Sequence, residues 1–273
     1  MSNSVTMPQS QVTQLLEGAA MLSQQSMGIL KPKDVGNSIR DAMGKPVLNS
    51  ASTDVLLVAM MLDDSSSICY VSNEQAVRDG TNAVVESLKG AREAVDIQFF
   101  LRYLNGTIMH PFGELDTVPL LTASNYRGNG ITPLYDESVE FLKALIAKAQ
   151  EFEQYNINVR TMSLIVTDGE DYGSHKHRAA DVCSIVKDLL ATESHIVAGM
   201  GVDGGGIDFK DIFREMGIPD MWIYETGPMA GESKDEFLRR IRRGFQLFSK
   251  SAVRASKSAA NFSQLGGFGV ANP

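Results

Sequence analysis

Cysteine is scarce in this chain. Two among 273 residues, Cys69 and Cys183, cannot build the disulfide framework of a small secreted scaffold. Thiols so far apart in sequence read as small packing side chains in a reducing compartment. Long apolar runs are also missing: no stretch approaches the roughly 20 residues that span a bilayer. Met1-Ser-Asn-Ser-Val-Thr6 has no basic segment leading into an apolar one, so no secretory signal is expected there. Positive charge is in deficit. The formal net charge of −8 weighs against nucleic acid as the main target, because phosphate binding favours a basic surface. The expectation is a soluble, cytoplasmic protein that does not engage membranes.

What is present is ordinary globular composition, 43% hydrophobic and 21% charged. The length suits one large α/β domain with extensions, or two small domains. Residues 1–50 are polar, but Val12, Leu15, Leu16, Ala19 and Leu22 recur at helical spacing, as do Val35, Ile39 and Met43 before a stop at Gly44. This predicts a helical extension that packs on its own domain or on a partner. From residue 54 the texture changes. Val55 to Leu62 is almost wholly apolar, the pattern of a strand buried on both faces.

Further strands are expected at Val95–Leu104, Val159–Val166, His195–Met200 and Met221–Glu225, with an edge strand around Val118–Leu121. Helices are expected from near Ser72, from Thr132-Pro133, over 177–192 and 208–216, and from the capping box Ser233-Lys-Asp-Glu236. The alternation predicts an α/β fold with a mostly parallel central sheet and helices on both faces. The division expected is a helical extension at 1–50, the α/β domain at 51–260 and a flexible tail at 261–273.

In such sheets ligands sit beyond the carboxyl ends of the strands. Three motifs fall there: Asp63-Asp-Ser-Ser-Ser67 after the first strand, Thr132 before a helix, and Thr167-Asp168-Gly169 after a later central strand. Hydroxyls of Ser65, Ser67 and Thr132 with carboxylates of Asp63 and Asp168 make an all-oxygen set. That set suits a hard cation, Mg²⁺ above all, with Ca²⁺ or Mn²⁺ as alternatives, and disfavours Zn²⁺ or Cu²⁺.

The three motifs together, in this order, resemble the metal-ion-dependent adhesion site of von Willebrand factor A (vWA) domains, over roughly residues 51–260. The resemblance implies a Rossmann-like fold and metal-dependent protein binding, in which an acidic residue of the partner completes the coordination. It implies direct ligation by Ser65 and Ser67, direct or water-mediated ligation by Thr132, and largely water-mediated roles for Asp63 and Asp168. It further implies an intracellular bacterial assembly component, working beside an AAA+ ATPase, while the N-terminal helices and C-terminal tail are expected to supply extra contacts that could build a homo-oligomer. The family usually has glycine where Ser66 stands and a small residue where Asp64 stands. Ser66 is expected to stiffen the loop, and Asp64 to bring a third carboxylate towards the ion and favour Ca²⁺.

Other features have plainer readings. His175-Lys-His177 reads as a solvated loop, with no cysteine or third histidine to complete a site. Gly204-Gly-Gly206 lacks the lysine and spacing of a P-loop. Arg239, Arg243, Lys250, Arg254 and Lys257 share one face of the last helix, opposite the apolar stripe Phe237, Ile241, Phe245, Phe248 and Ala252. Two competing functions stay open: an Mg²⁺-dependent phosphoryl-transfer or hydrolytic enzyme using Asp64 or Glu170, and RNA binding through the basic helix.

Overall fold

The computed structural model describes residues 7–47, 52–70, 73–91, 95–202, 206–227, 231, 233–257 and 265–270. The chain begins with three short helices, α1 (Gln9–Glu17), α2 (Gln24–Leu30) and α3 (Asn37–Ala42). There follow β1 (Asp54–Leu62), α4 (Ser66–Tyr70), α5 (Glu74–Lys89), β2 (Asp96–Tyr103), β3 (Ile108–Glu114), α6 (Leu134–Glu153) and β4 (Asn158–Thr167). The last elements are α7 (Ala179–Ala191), β5 (His195–Gly201), α8 (Phe209–Glu215), β6 (Ile223–Glu225), α9 (Lys234–Lys257) and α10 (Gly267–Val270).

The sheet order is β3-β2-β1-β4-β5-β6. Every pairing is parallel except β2 with β3. This is the doubly wound, Rossmann-like α/β arrangement, and chain order reverses between β1 and β4. β1 is fully buried from Val55 to Leu62, as its unbroken apolar run requires. The two faces are legible along β5. A β-carbon on Gly199 or Gly201 would run into Phe213 or Phe209 of α8, whereas Met200 between them meets Gly244 of α9. On the α9 side Gly80 of α5 lets the Phe245 ring sit against its backbone, and a β-carbon there would come within 2.2 Å of that ring.

Two expectations need correction. The edge strand is β3 at 108–114, not Val118–Leu121. Its run is short and contains Pro111, which an edge strand tolerates because one side of its ladder is unpaired. Met221 and Trp222 belong to a 3₁₀ turn that precedes β6. In addition α2 and α4 carried no clear apolar period.

The N-terminal helices pack on the molecule itself. α1 and α3 lie on α6, α2 on α7, and α3 also on β3. They explain why α6 is buried almost all round from Phe141 to Phe152 and not along one stripe. Buried lysines stitch the layer down. Lys143 donates to the Asp34 carbonyl at 2.9 Å, and Lys148 to the Lys45 carbonyl at 3.0 Å and to Glu151 at 2.8 Å. The other Glu151 oxygen accepts the Val47 N–H at 2.7 Å. Of the tail, Phe268 packs edge-on against Trp222. Residues 261–264 and 271–273 lie outside the described residues.

Lys148→Ala strands the Glu151 carboxylate without its counter-charge and should destabilise by roughly 3 kcal/mol. The check is the urea midpoint, with an unchanged m-value. His195 adds a pH dependence. Its ring shares a 2.8 Å hydrogen bond with Thr161, and burial pushes its pKa down to about 4. The unfolded chain, titrating near 6.5, binds that proton more readily, so this contribution is complete above about pH 6.5 and is lost as pH falls towards 4. His195→Gln should flatten the acid limb of the stability curve in that window, by roughly 3 kcal/mol at most.

Candidate metal centre

The register of β1 on β4 builds the site. Leu62 pairs with Val166, so one step further Asp63 lies beside Thr167 and Asp168. The Asp63 carboxylate spans the two loops. One oxygen accepts the Ser65 N–H at 2.8 Å, and the other accepts the Thr167 hydroxyl at 2.7 Å and the Asp168 N–H at 3.3 Å. Asp168 in turn accepts the Ser67 hydroxyl at 2.9 Å and the Ser65 hydroxyl at 3.3 Å, and the two serine oxygens are 2.8 Å apart. Asp63, Ser65 and Asp168 are buried and Ser67 is exposed, so the cluster opens on the Ser67 side.

The third loop arrives through Ser66. Its hydroxyl donates to the Gly130 carbonyl and accepts the Gly130 N–H, both at 3.2 Å. Serine at this position thus clamps the first loop to the Thr132 loop, a more specific role than stiffening. Thr132 does not cap α6. Its backbone exchanges two hydrogen bonds with Tyr172, and its hydroxyl stands 3.9 Å from where a β-carbon on Gly169 would lie. The cap comes from Ser174 and Asp171, which accept the Tyr135 N–H, Ser174 also taking that of Asp136. All five predicted residues therefore sit at one end of the sheet. Four form a single hydrogen-bonded cluster, and Thr132 stands beside it without bonding to it.

Asp64 departs from expectation. Its carboxylate accepts the Asn105 N–H at 3.0 Å, in the β2–β3 turn, and its carbonyl accepts the Asn129 N–H at 2.6 Å. It holds loops and is not directed into the Ser65–Ser67–Asp168 cluster. Burial, opposed by the Asn105 amide and reinforced by Asp63, pushes its carboxyl up to about 7. Burial, then the Asp63 charge, pushes Asp168 up to about 7 as well, against the two serine hydroxyls. Among the described residues no Lys, Arg or His pairs with Asp63, Asp64 or Asp168.

Sequence reasoning missed Tyr126 and Thr167 as supports. The fully buried Tyr126 hydroxyl donates to the Asp63 carbonyl. Nothing local marks Tyr126; Thr167 was visible as the neighbour of Asp168. His175 and His177 are set by their backbones, since the N–H groups of residues 175–177 surround the Asp136 carboxylate. Cys183 is half-buried with a free thiol, more open than a packing residue should be, and the Cys69 side chain lies outside the described residues. Gly204 and Gly205 also lie outside them. Among the described residues no group of three His, Cys, Asp or Glu side chains is arranged to hold a metal, so a cation here would depend on hydroxyls. Nor is any helix among them long and apolar enough to cross a membrane.

The fold is a doubly wound, Rossmann-like α/β sheet with helices on both faces. No family model and no curated protein matches the chain. Solved structures do. Proximal thread matrix protein 1 from the mussel byssus aligns at 16% identity and TM-score 0.47, over 71% of this chain and 48% of that one. Manganese-loaded TRAP protein from Plasmodium vivax aligns at 16% identity and TM-score 0.43, over 70% and 73%. The SpRpn10 VWA domain aligns at 8% identity and TM-score 0.41, over 69% and 95%. The chain thus spans about half the length of the mussel protein, and likeness at this level decides nothing about activity.

Thr167→Val keeps the shape and removes the hydroxyl donor to Asp63. It should lower stability by about 1–2 kcal/mol, the cost of leaving a buried acceptor short of a bond. A thermal melt in the presence of a chelator reads this directly.

Proposed function

We propose that the chain is a metal-dependent protein-binding module. Asp63, Ser65, Ser67, Thr132 and Asp168 hold one divalent cation, Mg²⁺ or Mn²⁺, and an Asp or Glu of a partner protein completes its shell. The observation that carries this is a pair of buried carboxylates, Asp63 and Asp168, tied to hydroxyls and to no cationic side chain among the described residues. Burying such charge uncompensated is costly, and a hard cation that takes oxygen ligands relieves it. Asp63 is already satisfied by N–H and O–H donors, so its part is to orient the loops or bond a metal-bound water. The serine and threonine oxygens are neutral, which leaves the ion electrophilic towards an external carboxylate.

Asp64, one of the two carboxylates a catalytic reading would call on, is taken up by the Asn105 N–H. Clustering at the carboxyl ends of the central strands agrees with where α/β sheets take ligands. An intracellular assembly, with an AAA+ ATPase or further copies of the chain, is the setting in which such a module would work. The exposed Arg239, Arg243, Lys250 and Lys257 on α9 offer that assembly a basic face.

Isothermal titration of the metal-free chain with Mg²⁺ or Mn²⁺ should give one site. Ser65→Ala should weaken it roughly tenfold or more, and Asp168→Ala should remove it. Heat signals unchanged in both variants would refute the reading.

A further inference from the structure

Thr132 is the one proposed ligand outside the hydrogen-bonded cluster of Asp63, Ser65, Ser67 and Asp168. What holds it near the other four decides how ready the site is for an ion. Packing does little of this. Thr132 is buried, but Asn129, Gly130 and Ile131 before it are exposed. Gly130 has φ of 119°, a conformation that glycine enters and leaves easily. Holding such a segment in one place costs conformational entropy, which its ties must offset.

The ties come from two sides. Thr132 exchanges both backbone hydrogen bonds with Tyr172, at 3.1 and 2.8 Å, which joins it to the loop after β4. The first loop supplies the rest. The Asn129 N–H donates to the Asp64 carbonyl at 2.6 Å, and the Ser66 N–H donates to the Gly130 carbonyl at 3.2 Å. The Ser66 hydroxyl adds two more bonds. It donates to the Gly130 carbonyl and accepts the Gly130 N–H, as a hydroxyl can do at once. One side chain thus holds both polar groups of the glycine. Ser66 stands between Ser65 and Ser67 at the start of α4, so the clamp and the two serine hydroxyls belong to the same three-residue run. The Thr132 hydroxyl lies 3.9 Å from where a β-carbon on Gly169 would be, on the neighbour of Asp168.

We propose that Ser66 is a positioning residue for the cation: its hydroxyl locks Gly130 and so keeps Thr132 beside the Ser65–Ser67–Asp168 cluster before an ion arrives. This rests on the cation-capture reading above. Binding then has little loop left to order, and the affinity that ordering would consume is kept. Removing the hydroxyl should leave the fold intact, because the two backbone bonds to residues 129 and 130 remain and the Ser66 side chain is only half-buried.

The test combines hydrogen exchange over residues 129–132 in chelator with Mg²⁺ titration calorimetry, both on the full chain. Ser66→Ala should exchange faster there and bind Mg²⁺ roughly tenfold more weakly. Ser66→Thr, which keeps a hydroxyl, should restore both. Gly130→Ala approaches the clamp from the other side. A β-carbon there meets no neighbour within 4 Å, but the positive φ becomes strained, so Mg²⁺ binding should weaken as well. Parental exchange and parental Mg²⁺ affinity in Ser66→Ala, or weak binding that Ser66→Thr does not restore, overturns the clamp and leaves the cation reading standing. A parent chain that gives no Mg²⁺ heat overturns both.

Discussion

Asp63 is the joint on which this end of the molecule turns. It lies one residue beyond the Leu62–Val166 pair of the two innermost strands, where strand order reverses. Its carboxylate takes one N–H from its own loop and an O–H and an N–H from the loop after β4. A parallel sheet alone leaves such loops side by side without fixing their relative height. The carboxylate fixes it, and in doing so presents the Ser65 and Ser67 hydroxyls to Asp168. The surrounding contacts serve the same end: Tyr126 holds the Asp63 carbonyl, Ser66 clamps Gly130, and Asp64 anchors the β2–β3 turn.

The cluster carries its own tension. Asp63 and Asp168 are buried close together, and both burial and mutual repulsion raise Asp168. Structures accept such an arrangement when a charge of opposite sign is supplied, and a divalent ion is the compact way to supply it. The frame around it is closely packed, with β1 buried from Val55 to Leu62 and α6 enclosed by the N-terminal helices. Fold and proposed function are linked by that one constraint.

Much of this was legible in the residues. The apolar run at 55–62 announced a central strand, and the alternation that follows announced the sheet, because burial on both faces leaves no room for polar positions. The meeting of Asp63, Ser65, Ser67 and Asp168 was legible because their two motifs each follow a central strand. What was hidden depended on contacts between distant segments. β3 was masked by Pro111 and by the lack of an apolar run in Ile108–Glu114. The cap of α6 lies some forty residues downstream, at Ser174, where no local signal points back to Thr132. The direction of Asp64 was set by an amide in another turn, which spacing alone does not show. The enclosure of α6 followed from helices whose docking site the sequence left open.

The most direct test is anomalous diffraction from crystals of the full chain grown with Mn²⁺. The account predicts one strong peak at the carboxyl end of β1 and β4, with the Ser65 and Ser67 oxygens at about 2.1 Å, the spacing of a small hard cation. No peak there, or a peak held by other residues while Ser65 and Ser67 still bond to Asp168, would contradict it.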